Sequence, residues 1–161
     1  MAKEIERKFL VTNDSWRDAA SGQAYQQGYL ARRDGVSVRV RLAGETDGTL
    51  TIKGPIEGIS RDEFEYEIPC EEASALFGLC QGALITKTRH VLPQGDLLWE
   101  IDEFHGANEG LIVAEIELPD AAHKFEKPDW LGKEVTNQRR YFNAELTAHP
   151  FREWSEAERS T

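Results

Sequence analysis

The chain has 161 residues, of which 40% are hydrophobic and 30% are charged. That length suits a single domain with a sizeable core, and that composition argues against intrinsic disorder. The formal net charge is −10 at pH 7. Nucleic acids and anionic membranes require a basic surface on their partners, so this charge argues against both.

Targeting and metal-ligand signals favour a cytoplasmic protein without a zinc site or a disulfide framework. The first eight residues are rich in charge, no secretory apolar stretch follows them, and no apolar run is long enough to span a bilayer. The two cysteines, Cys70 and Cys80, form no C-x-x-C motif, and the four histidines lack the spacing of a zinc site. Any metal is therefore expected on oxygen ligands.

The predicted secondary structure is mostly strand. Alternating apolar and polar residues predict eight strands, at residues 5–11, 24–31, 36–42, 49–53, 63–68, 85–92, 97–104 and 111–118. Helical spacing and capping residues predict short helices at 14–20, 71–81, 121–125 and 137–147. Because the turns between strands are mostly short, we expect an α+β fold, an eight-stranded antiparallel β-barrel flanked by a few amphipathic helices.

No internal repeat or linker divides the chain. We therefore expect one domain at residues 1–149, followed by a polar tail at 150–161. The tail is expected to fray, except that Phe151 and Trp154 can dock on the domain.

The polar faces of the predicted strands carry charged residues at positions i and i+2, which share one face of a strand. Most of these pairs have a single sign. In chain order, the positions are Glu4, Glu6 and Lys8; Arg39 and Arg41; Thr51 and Lys53; Glu63 and Glu65; Lys87 and Arg89; Glu100 and Asp102; and Glu115 and Glu117. On any one strand such a pair suits a face that is simply solvated. Repeated on nearly every strand, like-signed pairs indicate a common charged interior, because a surface built for solubility intersperses the two signs.

A barrel closed around these positions holds eight carboxylates and six cations. Burying so many charges without partners is prohibitive, so the interior must be hydrated and must hold a charged ligand. A polyanion together with divalent cations satisfies both sets, since Arg and Lys bind phosphate oxygens and carboxylates bind metal. The predicted strand 85–92 lacks a purely polar face, because Lys87 and Arg89 share their face with Ile85 and Val91.

Several segments resemble the CYTH superfamily, also called triphosphate tunnel metalloenzymes. The opening Glu4-Ile-Glu-Arg-Lys8 matches the family's E-x-E-x-K signature. Further segments follow in family order, including Val38-Arg-Val-Arg41, Thr51-Ile-Lys53, Glu63-Phe-Glu65, Lys87-Thr-Arg89, Glu100-Ile-Asp102 and Glu115-Ile-Glu117. The resemblance covers about residues 2–147. It implies an eight-stranded tunnel that binds a triphosphate end to end, and the chain is most similar to compact bacterial members that prefer inorganic tripolyphosphate.

The resemblance also implies roles for individual residues. Phosphate-binding cations are expected at Lys8, Arg39, Arg41, Lys53, Lys87 and Arg89. Mg²⁺ or Mn²⁺ is expected on Glu4, Glu6, Glu115 and Glu117, with Glu63, Glu65 and Asp102 as further or water-mediated ligands. Tyr29 and Lys87 are candidates to position or deprotonate the attacking water. Arg140 is a candidate for the mouth of the tunnel, where a surface salt bridge is an equal alternative.

Several alternatives to an inorganic triphosphatase stay open at this point. The same contacts to the triphosphate of ATP would suit a class IV adenylyl cyclase, and a thiamine triphosphatase would use the same tunnel. A non-catalytic module would bind polyphosphate or nucleotides without turnover. A structural β-domain would bind neither, because its charges would face water. The sequence also leaves open whether the protein forms a homodimer.

Overall fold

The computed structural model describes residues 2–160, which form nine strands and three short α-helices. The strands are β1 (Ala2–Val11), β2 (Ser21–Arg33), β3 (Val36–Ala43), β4 (Asp47–Lys53), β5 (Ser60–Ile68), β6 (Gln81–Gln94), β7 (Leu97–Phe104), β8 (Ile112–Glu117) and β9 (Leu131–Glu134). The helices are α1 (Cys70–Phe77), α2 (Asn143–Leu146) and α3 (Glu156–Arg159). Single 3₁₀ turns lie at Arg17–Ala19, Gly106–Asn108, Arg139–Tyr141 and Phe151–Glu153.

Eight of these strands close into an antiparallel barrel, which confirms the predicted fold class. The strands follow the order β5-β4-β3-β2-β6-β7-β8-β1, and a further pairing of β5 with β1 closes the circle. Strand β1 closes the barrel by changing partner along its length. Its first half, up to Ile5, pairs with β5, and the half from Glu6 to Leu10 pairs with β8.

The outward faces of β1, β7 and β8 are apolar, as the alternation predicts. Phe9, Trp99, Ile101 and Ile116 are buried in one cluster together with Trp130 from the segment before β9. The rings of Trp99 and Trp130 meet edge to face, with centroids 5.2 Å apart. This apolar cluster of β1, β7 and β8 therefore lies outside the barrel and leaves the inward positions beside it to polar residues.

A second apolar cluster explains the mixed face of β6. Ile85 has the same inward parity as Lys87 and is fully buried against Phe104 and Val113, which also point inward. Leu146 and Trp154 complete the cluster. Both belong to the C-terminal segment, the part of the chain from α2 to α3. No bulge is needed to account for Ile85, because the inward face of β6 passes from a charged region into an apolar one.

Two predictions fail between β8 and the C-terminus. The helix expected at 121–125 is absent, because Pro119 and Pro128 bracket the segment and Asp120 accepts a bond from the backbone N–H of Ala122 in a turn. The unpredicted strand β9, Leu-Gly-Lys-Glu, pairs with Phe9 and Val11 outside the closed circle of eight. Its four residues lack the alternation that would reveal a strand.

Two other predicted helices are shorter than expected. The helix at 14–20 is reduced to the 3₁₀ turn at Arg17–Ala19. The helix at 137–147 is divided, because Phe142 adopts an extended backbone with φ −73° and ψ 135° between a 3₁₀ turn and α2. This break directs the side chain of Asn143, the first residue of α2, toward the barrel interior, where it contacts Lys87 and Gln27.

The C-terminal segment contacts the rest of the domain through Trp154. Trp154 is 5% exposed, its ring meets the ring of Tyr141 edge to face, and its indole N–H donates to the carbonyl of His149 at 3.0 Å. Ser155 caps α3 through a reciprocal capping box with Glu158. Among residues 2–160, no helix combines the length and the apolarity that crossing a membrane requires.

We expect Trp154→Ala to lower the free energy of unfolding by about 3 kcal/mol, because truncating a buried aromatic side chain leaves a cavity. Urea denaturation followed by far-UV circular dichroism measures the change. The matched control is Leu79→Ala, since Leu79 is 70% exposed and its loss should change stability by less than about 0.5 kcal/mol. Equal stabilities of the two variants would contradict the docking of the C-terminal segment.

Candidate active site

The barrel encloses a cavity of about 300 Å³ that is lined mainly by charged side chains. Thirteen of the predicted site residues line it: Glu4, Glu6, Lys8, Tyr29, Arg39, Arg41, Lys53, Glu63, Glu65, Lys87, Arg89, Glu115 and Glu117. They come from all the barrel strands except β7, and on each strand they occupy alternate positions. A cavity of this volume is at the lower end of the range for small-molecule sites.

Asp102 is the predicted site residue that lies behind the cavity wall rather than on it. It is fully buried, and Lys87 Nζ donates to its Oδ2 at 2.7 Å. Arg89 Nε donates to Oδ1 at 2.7 Å and Nη2 to Oδ2 at 2.8 Å. Burial alone would raise the pKa of Asp102, but Arg89 and Lys87 outweigh it and hold the pKa below its ordinary value.

The amine of Lys87 has a strongly perturbed acidity. Burial lowers its pKa to about 7, against the opposing pull of Asp102 and with help from Arg89 and Arg41. Lys87 is also 1% exposed, and its Nζ donates a second bond to Asn143 Oδ1 at 2.9 Å. A lysine that is neutral near physiological pH can accept a proton, whereas an ordinary lysine cannot.

Glu4, Lys53 and Glu63 form a second charged group where β1, β4 and β5 meet. Lys53 Nζ lies 2.7 Å from Glu4 Oε2 and 3.2 Å from Glu63 Oε2. Burial would raise the pKa of Glu4, but Lys53 holds it well below the ordinary value. Burial and a hydrogen bond to Glu4 raise the pKa of Glu63 to about 7. The two carboxyl groups therefore share one cation.

Lys8, Glu6 and the two glutamates of β8 form a third group. Lys8 lies opposite Glu115 in the β1–β8 ladder, with Nζ 3.0 Å from Oε1, while Glu6 lies opposite Glu117. Burial would raise the pKa of Glu115, but Lys8 and Arg89 hold it well below the ordinary value. Burial and the charges of Glu115 and Glu4 raise the pKa of Glu6 well above its ordinary value. Burial and nearby carboxylates also raise the pKa of Glu117.

The arginines of β3 complete the cation set. Arg39 Nη2 donates to the Thr51 hydroxyl at 3.1 Å. Arg41 packs its guanidinium over the ring of Tyr25 at 4.9 Å and donates through Nε to Gln27 Oε1 at 2.9 Å. Burial lowers the pKa of Arg41, and the neighbouring charges of Arg39 and Arg89 lower it further. These like charges lie close together on the cavity wall, so an anion beside them would be bound favourably.

Several lining residues were not predicted. On β2 the inward positions are Tyr25, Gln27 and Tyr29, so Gln27 and not Gln26 is the interior amide of this strand. The alternation from Tyr29 could have identified Gln27, but register shifts of β2 next to Tyr29 obscure the count. Asn143 had no sequence signal, because it lies on a separate segment that packs across the end of the barrel.

Glu100 lies inward as expected, whereas Arg140 lies away from the cavity. Glu100 lines the cavity and accepts a bond from Arg89 at 2.6 Å. Arg140 is not among the lining residues; its guanidinium lies 5.3 Å from the ring of Tyr141 and 5.7 Å from that of Trp154. Arg140 thus packs on the C-terminal aromatic residues rather than at the cavity wall.

The sequence profile of the CYTH domain family matches residues 2–149, nearly the whole chain. The chain belongs to the CYTH domain family. An inorganic triphosphatase of Acetivibrio thermocellus is 47% identical over 157 residues, which cover 97% of this chain and 100% of that protein. An inorganic triphosphatase of Nitrosomonas europaea is 37% identical over 152 residues, which cover 89% and 95%. A crystal structure of the inorganic triphosphatase NE1496 superposes with a TM-score of 0.65 at 34% identity, covering 91% of this chain and 95% of that one.

The pKa shifts of Glu6 and Glu4 predict opposite changes in the melting temperature of this CYTH protein when each is replaced by Gln. The prediction applies at pH 8 without divalent ions. The pKa of Glu6 is raised, so its ionised form destabilises the fold above the ordinary pKa, and Glu6→Gln should raise the melting temperature. The pKa of Glu4 is lowered, so its ionised form stabilises the fold in that range, and Glu4→Gln should lower the melting temperature. Differential scanning calorimetry measures both. A Glu6→Gln variant as destabilised as Glu4→Gln would refute the assignment.

Proposed function

We propose that this CYTH protein is a divalent-metal-dependent triphosphatase that hydrolyses inorganic tripolyphosphate to pyrophosphate and phosphate inside the barrel. The observation that carries the proposal is the cavity itself, in which the six predicted phosphate-binding cations from four strands converge beside carboxylates with raised pKa values. Its relatives in Acetivibrio thermocellus and Nitrosomonas europaea, both named inorganic triphosphatases, support the same substrate.

Six of the cations that line the cavity bind the anion in this proposal. Lys8, Arg39, Arg41, Lys53, Lys87 and Arg89 are held in place by carboxylates, amides or hydroxyls of neighbouring strands. Their positions are therefore set before the ligand enters, which reduces the cost of ordering them on binding. In the reaction they stabilise the negative charge that develops on the leaving pyrophosphate.

The carboxylates fit a metal that is shared with the substrate. Among residues 2–160, no three acidic, histidine or cysteine side chains converge as a preformed metal cage. Mg²⁺ commonly uses one or two carboxylates together with phosphate oxygens and waters, so a preformed cage is not required. Glu6 and Glu117, opposite each other on β1 and β8, carry raised pKa values that a nearby cation would relieve. A bound Mg²⁺ or Mn²⁺ would neutralise charge on the phosphate oxygens.

Glu4, Glu63, Glu65 and Glu115 are further candidate ligands in the proposal, directly or through water. Glu4 and Glu115 already hold Lys53 and Lys8, so they would reach a metal through their other oxygen or through water. Asp102 is given a different role here. Its oxygens are occupied by Lys87 and Arg89 behind the cavity wall, so it positions those two cations instead of meeting metal directly.

Hydrolysis requires a base as well as a bound anion. A water attacks the terminal phosphorus in line, the bond from that phosphorus to the bridging oxygen breaks, and pyrophosphate leaves. The proton released by the water passes to Lys87, whose pKa of about 7 makes the neutral amine available. Tyr29 also lines the cavity and helps to orient the water in this proposal.

The proposal is tested by measuring phosphate release from tripolyphosphate, ATP, thiamine triphosphate and pyrophosphate, each with Mg²⁺, with Mn²⁺ and with EDTA. We expect metal-dependent turnover that is fastest with tripolyphosphate. Formation of cyclic AMP and pyrophosphate from ATP would identify an adenylyl cyclase instead. Binding of tripolyphosphate without turnover would identify a binding module, and the absence of binding would indicate a structural domain.

Removal of one phosphate-binding cation should weaken catalysis strongly. We expect Arg39→Ala to lower kcat/KM for tripolyphosphate by about 10²- to 10³-fold, as the loss of a charge-stabilising donor does in other active sites. The control is Arg33→Ala at the end of β2, where the side chain of Arg33 is 90% exposed and outside the cavity. A kcat/KM that is unchanged in Arg39→Ala, or equally reduced in both variants, would reject this role.

A further inference from the structure

Asn143 connects the C-terminal segment to the cations of the cavity. Its Oδ1 accepts a bond from Lys87 Nζ at 2.9 Å and a second from Gln27 Nε2 at 3.1 Å. Gln27 is fully buried, and its Oε1 in turn accepts the bond from Arg41 Nε. One amide oxygen from α2 therefore restrains side chains on β6 and β2, and through Gln27 a third on β3.

The two bonds of Lys87 leave one direction free at its amine. A lysine nitrogen has three positions besides its bond to carbon, and Asp102 and Asn143 occupy two of them. Lys87 is also one of the residues that line the cavity, so a third position turned toward the bore would meet a ligand there. That third position carries an N–H when the amine is charged and the lone pair when it is neutral. If Asp102 were the only hydrogen-bond partner, the amine could rotate about that one hydrogen bond, and the direction of the third position would not be fixed.

The position of Asn143 is set independently of Lys87. Leu146, three residues later in α2, is fully buried in the second apolar cluster. Arg32 of β2 donates to the carbonyl of Ala144 at 2.9 Å, and its guanidinium also pairs with Glu145. The helix is thus attached to the barrel by packing and by charge. Such a support holds Asn143 in place whether or not Lys87 contacts it.

We propose that Asn143 is a positioning residue for the reaction, which directs the free face of the Lys87 amine into the bore. The proposal rests on the proposed triphosphatase function, in which Lys87 touches the substrate or the attacking water. It assigns a functional contact to the C-terminal segment. Active sites depend on such supporting bonds, because small displacements of a reacting group are costly.

The kinetic test compares Asn143→Ala, Lys87→Ala and the double variant. We expect Asn143→Ala to lower kcat for tripolyphosphate about 10- to 100-fold, a loss typical of removing a supporting hydrogen bond, while KM changes by less than about 3-fold. In the Lys87→Ala background the same substitution should change kcat by less than about 2-fold, because its target is gone. An equal loss of kcat in both backgrounds would overturn the proposal.

Asn108→Ala is the matched control. The Oδ1 of Asn108 accepts a bond from the backbone N–H of Phe151 at 2.9 Å, so its loss loosens the C-terminal segment without touching Lys87. We expect this variant to lose stability and keep kcat. If Asn108→Ala lowered kcat as much as Asn143→Ala, the effect would come from the packing of the segment, and the proposed role would be wrong.

Crystal structures of the ligand-free wild type and of Asn143→Ala provide a test that does not require turnover. We expect Lys87 Nζ to stay bonded to Asp102 but to move by more than about 0.5 Å in the variant, the tolerance within which catalytic groups are usually held. An Nζ that keeps its place would overturn the positioning role even if the protein is a triphosphatase. Conversely, a wild type without triphosphatase activity would refute the proposed function while this measurement still decided how Asn143 acts on Lys87.

Discussion

The interior of this barrel depends on the pairing of buried charges, since a charge removed from water is stable only beside a counter-charge. Asp102 shows the constraint most clearly, because it is fully buried between Lys87 and Arg89 and both cations donate to it. The antiparallel ladder sets such pairs side by side, as where Lys8 lies opposite Glu115. The outward-facing apolar side chains of β1, β7 and β8 consequently form a cluster outside the barrel, and charged side chains line most of the cavity.

The pairing is incomplete in a way that suits a ligand. Glu4 and Glu115 are held by lysines, and their pKa values are lowered. Glu6, by contrast, has a raised pKa because it is buried, and the charges of nearby carboxylates raise it further. On the basic side, burial lowers the pKa of Arg41, and the charges of nearby arginines lower it further. A polyanion would relieve the repulsion among the cations and a divalent cation the repulsion among the acids, so the two ligands complete the charge pairing of the site together.

Much of this site could be predicted from the sequence, because strand alternation assigns each residue to a face. The like-signed pairs of β1, β3, β5, β6 and β8 all line the cavity as expected. Alternation does not report depth, however, and Asp102, which shares the inward parity, lies behind the wall rather than on it. It also says nothing about segments that pack across the barrel from elsewhere in the chain. Asn143 and β9 were missed for that reason, and Gln27 was missed because the register of β2 shifts beside it.

Occupancy of the bore is tested most directly by a crystal structure of the protein with Mn²⁺ and a slowly hydrolysed imido analogue of tripolyphosphate. The anomalous signal of manganese locates the metal independently of the anion. We expect the anion among the cations of β1, β3, β4 and β6, and Mn²⁺ against the carboxylates of β1 and β8. An anion bound on the outer surface, or Mn²⁺ bound away from those carboxylates, would contradict the claim that the anion and the metal balance the unpaired charges of the barrel interior.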